Sequence, residues 1–392
     1  MKGKGSFEEG HAAVIFGAPL FRRHSYGKNH PLGIPRVALT LDLIRSFGAI
    51  EDGEYIESRQ ATVEELGRFH KRDYIEAVRE CEKTRRISAS YREKYNFGNF
   101  ENPWFEGFFT TPATAAGASI QGAEQVIGGR VAFNPAGGMH HAMPGRARGF
   151  CFFNDGVLGV MRLRSEGMKV LYIDLDAHLP DGVVHAFRDD PGTVVASIHM
   201  DTSYAYPFEG GRIRDRGAHD NLVNLPLPKG INDSEYRAAF KQVFPRLFRR
   251  FRPDAVVLQS GTDIIFSDPL GKFEVSTQLF LEAVRTVTGL CPENENGIPR
   301  LLVIGGGGYH PLALARCWAG MWGLISGRNL PVKLPEKGSE ILKGVEWDDD
   351  EEEDYYGNFF ISRLDEPREG EVREDVLERI DALIRTHPLL GN

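Results

Sequence analysis

With 392 residues, 41% of them hydrophobic and 26% charged, the chain can bury a large core and is neither a disordered nor a fibrous polymer. Its apolar runs break before the ~18 residues that a membrane-spanning helix needs, and four cysteines without a CxxC pair set up no disulfide framework. A net charge of -8 disfavours a grip on a nucleic-acid backbone while leaving room for a basic partner. The opening MKGKGSFEEGH has no apolar stretch behind its lysines, so no secretory leader and a cytoplasmic location are expected.

Residues 12–16, AAVIF, read as an opening strand, and after the loop KNHPLGIPR the residues Val37, Leu41 and Ile44 recur at helical spacing. Thr62 and Glu65 have the spacing of a capping box at the head of ATVEELGRFHKRDYIEAVRE, and the small-residue run at 111–127 predicts a closely packed helix. Four runs rich in Val, Ile and Leu follow at 170–176, 193–200, 254–263 and 300–309, with helical segments between them. Each ends in polar residues or glycine, which predicts a parallel sheet covered on both faces, with a ligand beyond the carboxyl ends of its strands. The acidic run at 348–354 is expected as a solvated loop or, alternatively, a docking surface for a basic partner. Residues 371–387 close the chain as a helix, and the absence of repeats and Pro/Ser linkers points to one domain over 1–392.

The densest chemical signal is YIDLDAHLPDG at 172–182. Asp176 and His178 are two apart at the end of an apolar run, so an extended backbone points both side chains the same way. A carboxylate and an imidazole suit zinc, and Asp263, closing QSGTD, is a candidate third ligand that leaves the fourth position to water. Ordinary strand-end caps are the plainer alternative for DxDxH alone. His140 and His141 in NPAGGMHHAMPG lie on a Gly/Pro loop, either as surface residues or as acid and base. Asp174 and Asp181 supply two further carboxylates, enough for two His–Asp pairs that fix a tautomer and raise basicity. Tyr309 follows four glycines in GGGGY, either as an exposed aromatic on a tight turn or as a phenol donating to a polarised carbonyl. The GGGGYHPLALA context fits neither a dinucleotide fingerprint nor a phosphate cradle.

These strings, together with NFENP, GFCFFND, YAYPFEGG and ALARCW in the same order, resemble the histone deacetylase superfamily, above all the bacterial histone deacetylase-like proteins related to acetoin-utilisation deacetylases. The likeness runs from about residue 15 to 331 and is looser beyond. It implies a single α/β domain of the arginase/deacetylase-like kind, with an eight-stranded, mostly parallel sheet in a core of about 12–331 and residues 332–392 packed on it. It also implies one catalytic zinc ion on Asp176, His178 and Asp263, His140 as the buried partner of Asp174, His141 as the proton-transferring partner of Asp181, and Tyr309 as the transition-state hydroxyl. Gly149, Phe150 and Tyr206 match the acyl-lysine tunnel, Tyr206 standing where many relatives carry phenylalanine. Glu101 stands where many have a rim aspartate that grips the substrate backbone, and Arg36 matches an inner-cavity arginine. A structural potassium ion would fall to Asp174, Asp176, His178 and Ser197.

One departure from the family pattern is DLDAHLPDG, with Leu179 and Pro180 where relatives usually read DLDxHHGDG. Proline restricts the backbone and biases Leu179 away from the helical region; moving Asp181 by ~1 Å would cost about 100-fold in rate. The implied activity is hydrolysis of an acetylated amine, either acetyl-lysine in proteins or peptides or an acetylpolyamine. The rival is an acyl-lysine-binding regulatory protein with little catalysis. A two-metal ureohydrolase-like enzyme is disfavoured for want of further carboxylates. Neither nucleic acid nor membrane is expected as a partner, and the oligomeric state is left open.

Overall fold

The computed structural model describes residues 12–23, 26, 27, 30–347 and 353–391. The acidic run at 348–354 therefore lies outside the described residues, apart from the backbone of its last two. Eight strands form one sheet: β1 (Ala13–Gly17), β2 (Tyr55–Glu57), β3 (Val131–Asn134), β4 (Val170–Asp174), β5 (Thr193–Met200), β6 (Leu222–Leu227), β7 (Ala255–Gln259) and β8 (Leu301–Ile304). Their order is β2-β1-β3-β8-β7-β4-β5-β6, and every neighbouring pair is parallel.

Alternation along the strands divides the core in two. Ile15, Phe133, Leu171, Ile173, Val256 and Leu258 enter one apolar layer, whereas Val14, Ala132, Val170, Tyr172 and Val257 enter the other. Both faces are buried, which is why these strands read as continuous apolar runs. Helices Asp233–Phe251, Thr277–Leu290 and Pro311–Ile325 supply the first layer; Thr110–Ile127 and Asp155–Arg164 supply the second. The closing helix Glu374–Thr386 packs on β6 and on Asp233–Phe251. Among the described residues no helix is long and apolar enough to cross a membrane.

The Thr62/Glu65 capping box is formed, but the helix it starts is only Val63–Leu66, and a second begins at Arg72–Thr84. The break turns the chain so that buried His70 reaches back to the loop after His141, with Nδ1 3.1 Å from the Met143 carbonyl and Nε2 accepting the Asn154 N–H at 2.9 Å. In the sheet, Asn134, Ile304, Gln259, Asp174 and Ser197 pair in one transverse row. The four central strands β3, β8, β7 and β4 thus end level, and the segments leaving them converge on one point.

Candidate active site

Asp176 and His178 leave β4, Asp263 leaves β7, and the GGGGY loop leaves β8. His178 Nδ1 lies 3.1 Å from Asp176 Oδ1 and 2.9 Å from Asp263 Oδ2, with all three side chains buried or nearly so. Ligand atoms of this trio lie within 4.8 Å of one another. Glycines make the cradle: a Cβ on Gly307 would stand 2.4 Å from Asp263 Oδ2 and 2.7 Å from Asp176 Oδ2, and one on Gly261 would stand 2.5 Å from Asp176 Oδ2. Burial and the Asp176 charge raise the pKa of Asp263. Burial opposes protonation of His178, yet the hydrogen bonds to Asp176 and Asp263 outweigh it and lift its pKa to about 10. A pocket that holds a proton so firmly between two carboxylates is one that suits a cation, and one imidazole with two carboxylates is a zinc-type donor set.

Beside this trio stand two imidazole–carboxylate pairs. His140 Nδ1 is 3.1 Å from Asp174 Oδ2, His141 Nδ1 is 2.6 Å from Asp181 Oδ1, and the two Nε2 atoms are 2.9 Å apart. Burial disfavours charge on His140, but Asp176 and Asp174 outweigh it and raise its pKa to about 9. Burial and the neighbouring His140 lower His141 to about 4. The two imidazoles are thus shifted in opposite directions, an arrangement that suits acid and base roles. Asp181 lies within hydrogen-bonding distance of His141 with Leu179 and Pro180 before it.

Tyr309 sits on the cavity wall with its ring centroid 5.9 Å from that of Phe150, and burial raises its phenol well above the usual range, leaving a neutral donor. Arg36 donates to the carbonyls of Gly306 (3.0 Å) and Gly308 (2.9 Å), tying down the glycine loop, and it lines a separate cavity of about 80 Å³. Ser197 faces Asp174 across β4 and β5, its hydroxyl 3.0 Å from His199 Nδ1.

Above the floor, a cavity of about 300 Å³ is lined by Glu101, Gly149, Phe150 and Tyr206 as well as His141, His178 and Tyr309. Gly149 has φ +54° and a Cβ there would meet the His141 ring at 2.4 Å, so this position takes glycine for both backbone and space. Phe150, at φ 67°, is held in the left-handed region that side chains rarely adopt. Glu101 Oε1 accepts the Gly149 N–H at 2.5 Å and the Tyr206 hydroxyl at 3.0 Å, while Oε2 accepts from Asn96 at 3.1 Å.

Three residues that sequence reasoning missed complete the arrangement. Arg148 stands 3.0 Å from Asp181 Oδ2, directs its Nε–H at the Tyr206 hydroxyl (3.1 Å) and pairs with Glu209 at 2.7 Å. Asp181 Oδ2 is thus held by charge and receives no directed hydrogen bond. Buried Asp268 accepts the N–H groups of Tyr309, Leu270 and Gly271, fixing the tyrosine backbone. Gln259 donates to Asp176 Oδ2 at 2.8 Å. Arg148 and Asp268 lie on loops with no periodicity to mark them, whereas Gln259, last in the β7 run, was visible as a polar strand end.

The parallel α/β sheet thus gathers, at its central strand ends and under a narrow cavity, buried carboxylates and imidazoles that could hold a metal ion. Residues 30–325 match the histone deacetylase domain, and the chain belongs to that family. It is 31% identical over 330 residues to the acetoin utilization protein AcuC of Bacillus subtilis (strain 168), covering 81% of this chain and 84% of AcuC. Identity with histone deacetylase 1 of Oryza sativa subsp. japonica is 35% over 316 residues, 79% of this chain but 59% of the rice protein. A crystal structure of an HDAC homologue complexed with SAHA superposes with a TM-score of 0.88 at 41% identity, over 95% of this chain and 99% of the other. The same values hold for the crystal structure of an HDAC homologue from Aquifex aeolicus. Family membership and the His/Asp cluster support a deacetylase hydrolase, and the fold is the eight-stranded one expected.

Proposed function

We propose that the chain is a zinc-dependent deacetylase that releases acetate from acetyl-lysine in proteins or peptides. The observation that carries this reading is the convergence of Asp176, His178 and Asp263 with the His141–Asp181 pair at the floor of an aromatic-walled cavity. Asp176, His178 and Asp263 would hold the zinc ion, which when bound supplies Lewis acidity toward the acetyl carbonyl and a water. Asp181 fixes the tautomer of His141, leaving Nε2 to take a proton from the attacking water. The same nitrogen then returns it to the departing nitrogen, because an amine expelled as its anion would be too basic to leave. The neutral phenol of Tyr309 donates to the oxygen on which charge develops. His140, whose pKa Asp176 and Asp174 raise, stands beside His141 and lowers the pKa of that imidazole. Asp174, Asp176, His178 and Ser197 are the residues to which we assign a structural potassium ion, and we take residues 1–392 as one cytoplasmic catalytic unit.

Peptide substrates are favoured over acetylpolyamines by the state of Glu101. A carboxylate has about four acceptor sites, and three are used by Gly149, Tyr206 and Asn96. What is left suits one backbone N–H better than a free ammonium. The test is acetate release from an acetyl-lysine peptide and from an acetylpolyamine by purified protein, with zinc content counted and a hydroxamate as control. Zinc-dependent, hydroxamate-sensitive turnover of the peptide is expected. Full zinc occupancy with no turnover of either would replace the enzyme reading with that of an acyl-lysine-binding protein.

A further inference from the structure

Charge is distributed unevenly around the cavity mouth. Glu101 on the cavity lining has its carboxylate engaged by protein donors. Lys229 and Lys272 line the same cavity, Lys229 Nζ lying 4.7 Å over the Tyr204 ring and Lys272 Nζ donating to the Pro269 carbonyl at 2.7 Å. Phe208, 66% exposed, borders both this cavity and an adjoining groove of about 680 Å³. That groove is lined by Arg212, Arg214 and Arg216. Its carboxylates are already engaged: Asp201 pairs with Arg379 at 2.8 Å, and Glu209 pairs with Arg148 at 2.7 Å. Asp215 accepts the backbone N–H of Arg212 at 2.9 Å. Among the described residues, no carboxylate forms an ion pair with Lys229, Lys272, Arg212, Arg214 or Arg216. Two lysines on the cavity and three arginines on the groove that shares Phe208 with it make a basic surround on a chain whose net charge is -8.

From this asymmetry we infer that the preferred substrate is an acetyl-lysine carried in an acidic stretch of polypeptide. The acetyl-lysine enters the cavity while aspartates or glutamates on one side of it pass over Phe208 onto the five cations. The inference rests on the deacetylase reading above and narrows its substrate class. An extended peptide advances ~3.3 Å per residue, so the acidic residues that matter lie within a few positions of the lysine. Unpaired charges facing the approach path raise the capture rate of the opposite sign and repel the same sign. A lysine-rich tail or an acetylpolyamine would bring its own cations against those five.

The test uses the zinc-loaded full chain and acetyl-lysine peptides with acidic, neutral or basic residues placed before or after the lysine. At low salt we expect kcat/KM for an acidic flank on one side to exceed that for a basic flank at least tenfold, with the ratio collapsing as salt shortens the screening length. In an Arg212→Glu, Arg214→Glu, Lys229→Glu variant the acidic-to-basic ratio should fall below one. Because the readout is a ratio within each protein, a general loss of activity in the variant does not move it. Equal rates, a basic preference or a preference for acetylpolyamines in the native protein would overturn the inference while leaving deacetylation standing. Absence of turnover on every peptide would remove the deacetylase reading and this inference with it.

Discussion

His141 Nδ1 and Asp181 Oδ1 are 2.6 Å apart even though Leu179 and Pro180 precede the aspartate. Pro180 stands just before the helix Asp181–Phe187, where its carbonyl accepts the Val184 N–H at 2.9 Å and its missing N–H costs nothing. Leu179 is 2% exposed and packs toward Gly211, where a Cβ would come within 3.0 Å of it. The dipeptide is a packed turn that leaves Asp181 within reach of His141. A Leu179→His, Pro180→Gly variant should therefore keep kcat/KM within about 3-fold. It should lose about 2 kcal/mol of stability in urea unfolding because an apolar side chain is removed from the core. A rate gain of tenfold or more would show instead that Leu179 and Pro180 hold activity down.

Arg148 is the residue most worth changing near the His141–Asp181 pair. Its guanidinium is the only charge opposite the buried Asp181 Oδ2 among the ion pairs of the described residues, and it also orients the Tyr206 hydroxyl that bonds Glu101. Without it, Asp181 keeps a buried, unpaired oxygen, and the rim carboxylate loses its indirect support. Arg148→Ala should lower kcat about 10-fold to 100-fold and raise KM, with Arg148→Lys restoring part of kcat. Steady-state kinetics that show a change in KM alone would confine Arg148 to the rim.

How far the sequence revealed this site follows from which features are local. Asp176 and His178 were legible because alternation along one strand fixes their shared direction, and Asp263 because it closes another apolar run. Partner choice was not legible from spacing: which imidazole meets Asp174 depends on a loop that Asn154 holds through the carbonyls of His140 and Ala142. Three strands also escaped notice. β2 and β3 are short, three and four residues, and β6 contains Pro226, a residue tolerated there because β6 is an edge strand. The capping box at Thr62 was read correctly, but the break at 67–71 serves a distant contact, that of His70 with Asn154, which no local pattern encodes.

His70 makes that contact measurable through pH. It is buried, and burial lowers its pKa from 6.5 to about 3. The folded protein therefore holds it neutral, while the unfolded chain takes up a proton below about pH 6.5. Stability from this residue is complete above pH 6.5 and is lost progressively as pH falls from there toward 3. Each pH unit inside that window costs up to about 1.4 kcal/mol. Urea unfolding of a His70→Gln variant should be less stable than native at pH 7.5 and should lose less stability than native between pH 7.5 and 5.5. Parallel pH slopes for the two proteins would mean that His70 is protonated in the fold.

Two adjacent glycines, Gly307 and Gly308, lie beside the candidate metal site of Asp176, His178 and Asp263. Gly307 lies outside the positive-φ set, so alanine fits its backbone, and the obstacle is the added Cβ at 2.4 Å from Asp263 Oδ2 and 2.7 Å from Asp176 Oδ2. Gly308 has φ +132° and a Cβ there would meet Thr262 Oγ1 at 2.1 Å, so alanine strains the chain itself. Gly307→Ala must push the two carboxylates apart by a sizeable fraction of an ångström, which a zinc site with bond lengths of about 2 Å does not accommodate. Its zinc affinity, read by competition with a chelator, should fall at least tenfold while the unfolding midpoint of the metal-free protein moves little. Gly308→Ala should show the reverse emphasis, a lower midpoint in the metal-free protein. Retained zinc affinity in Gly307→Ala would remove Asp176 and Asp263 from the ligand set, since no other proposed role requires their oxygens to stay that close.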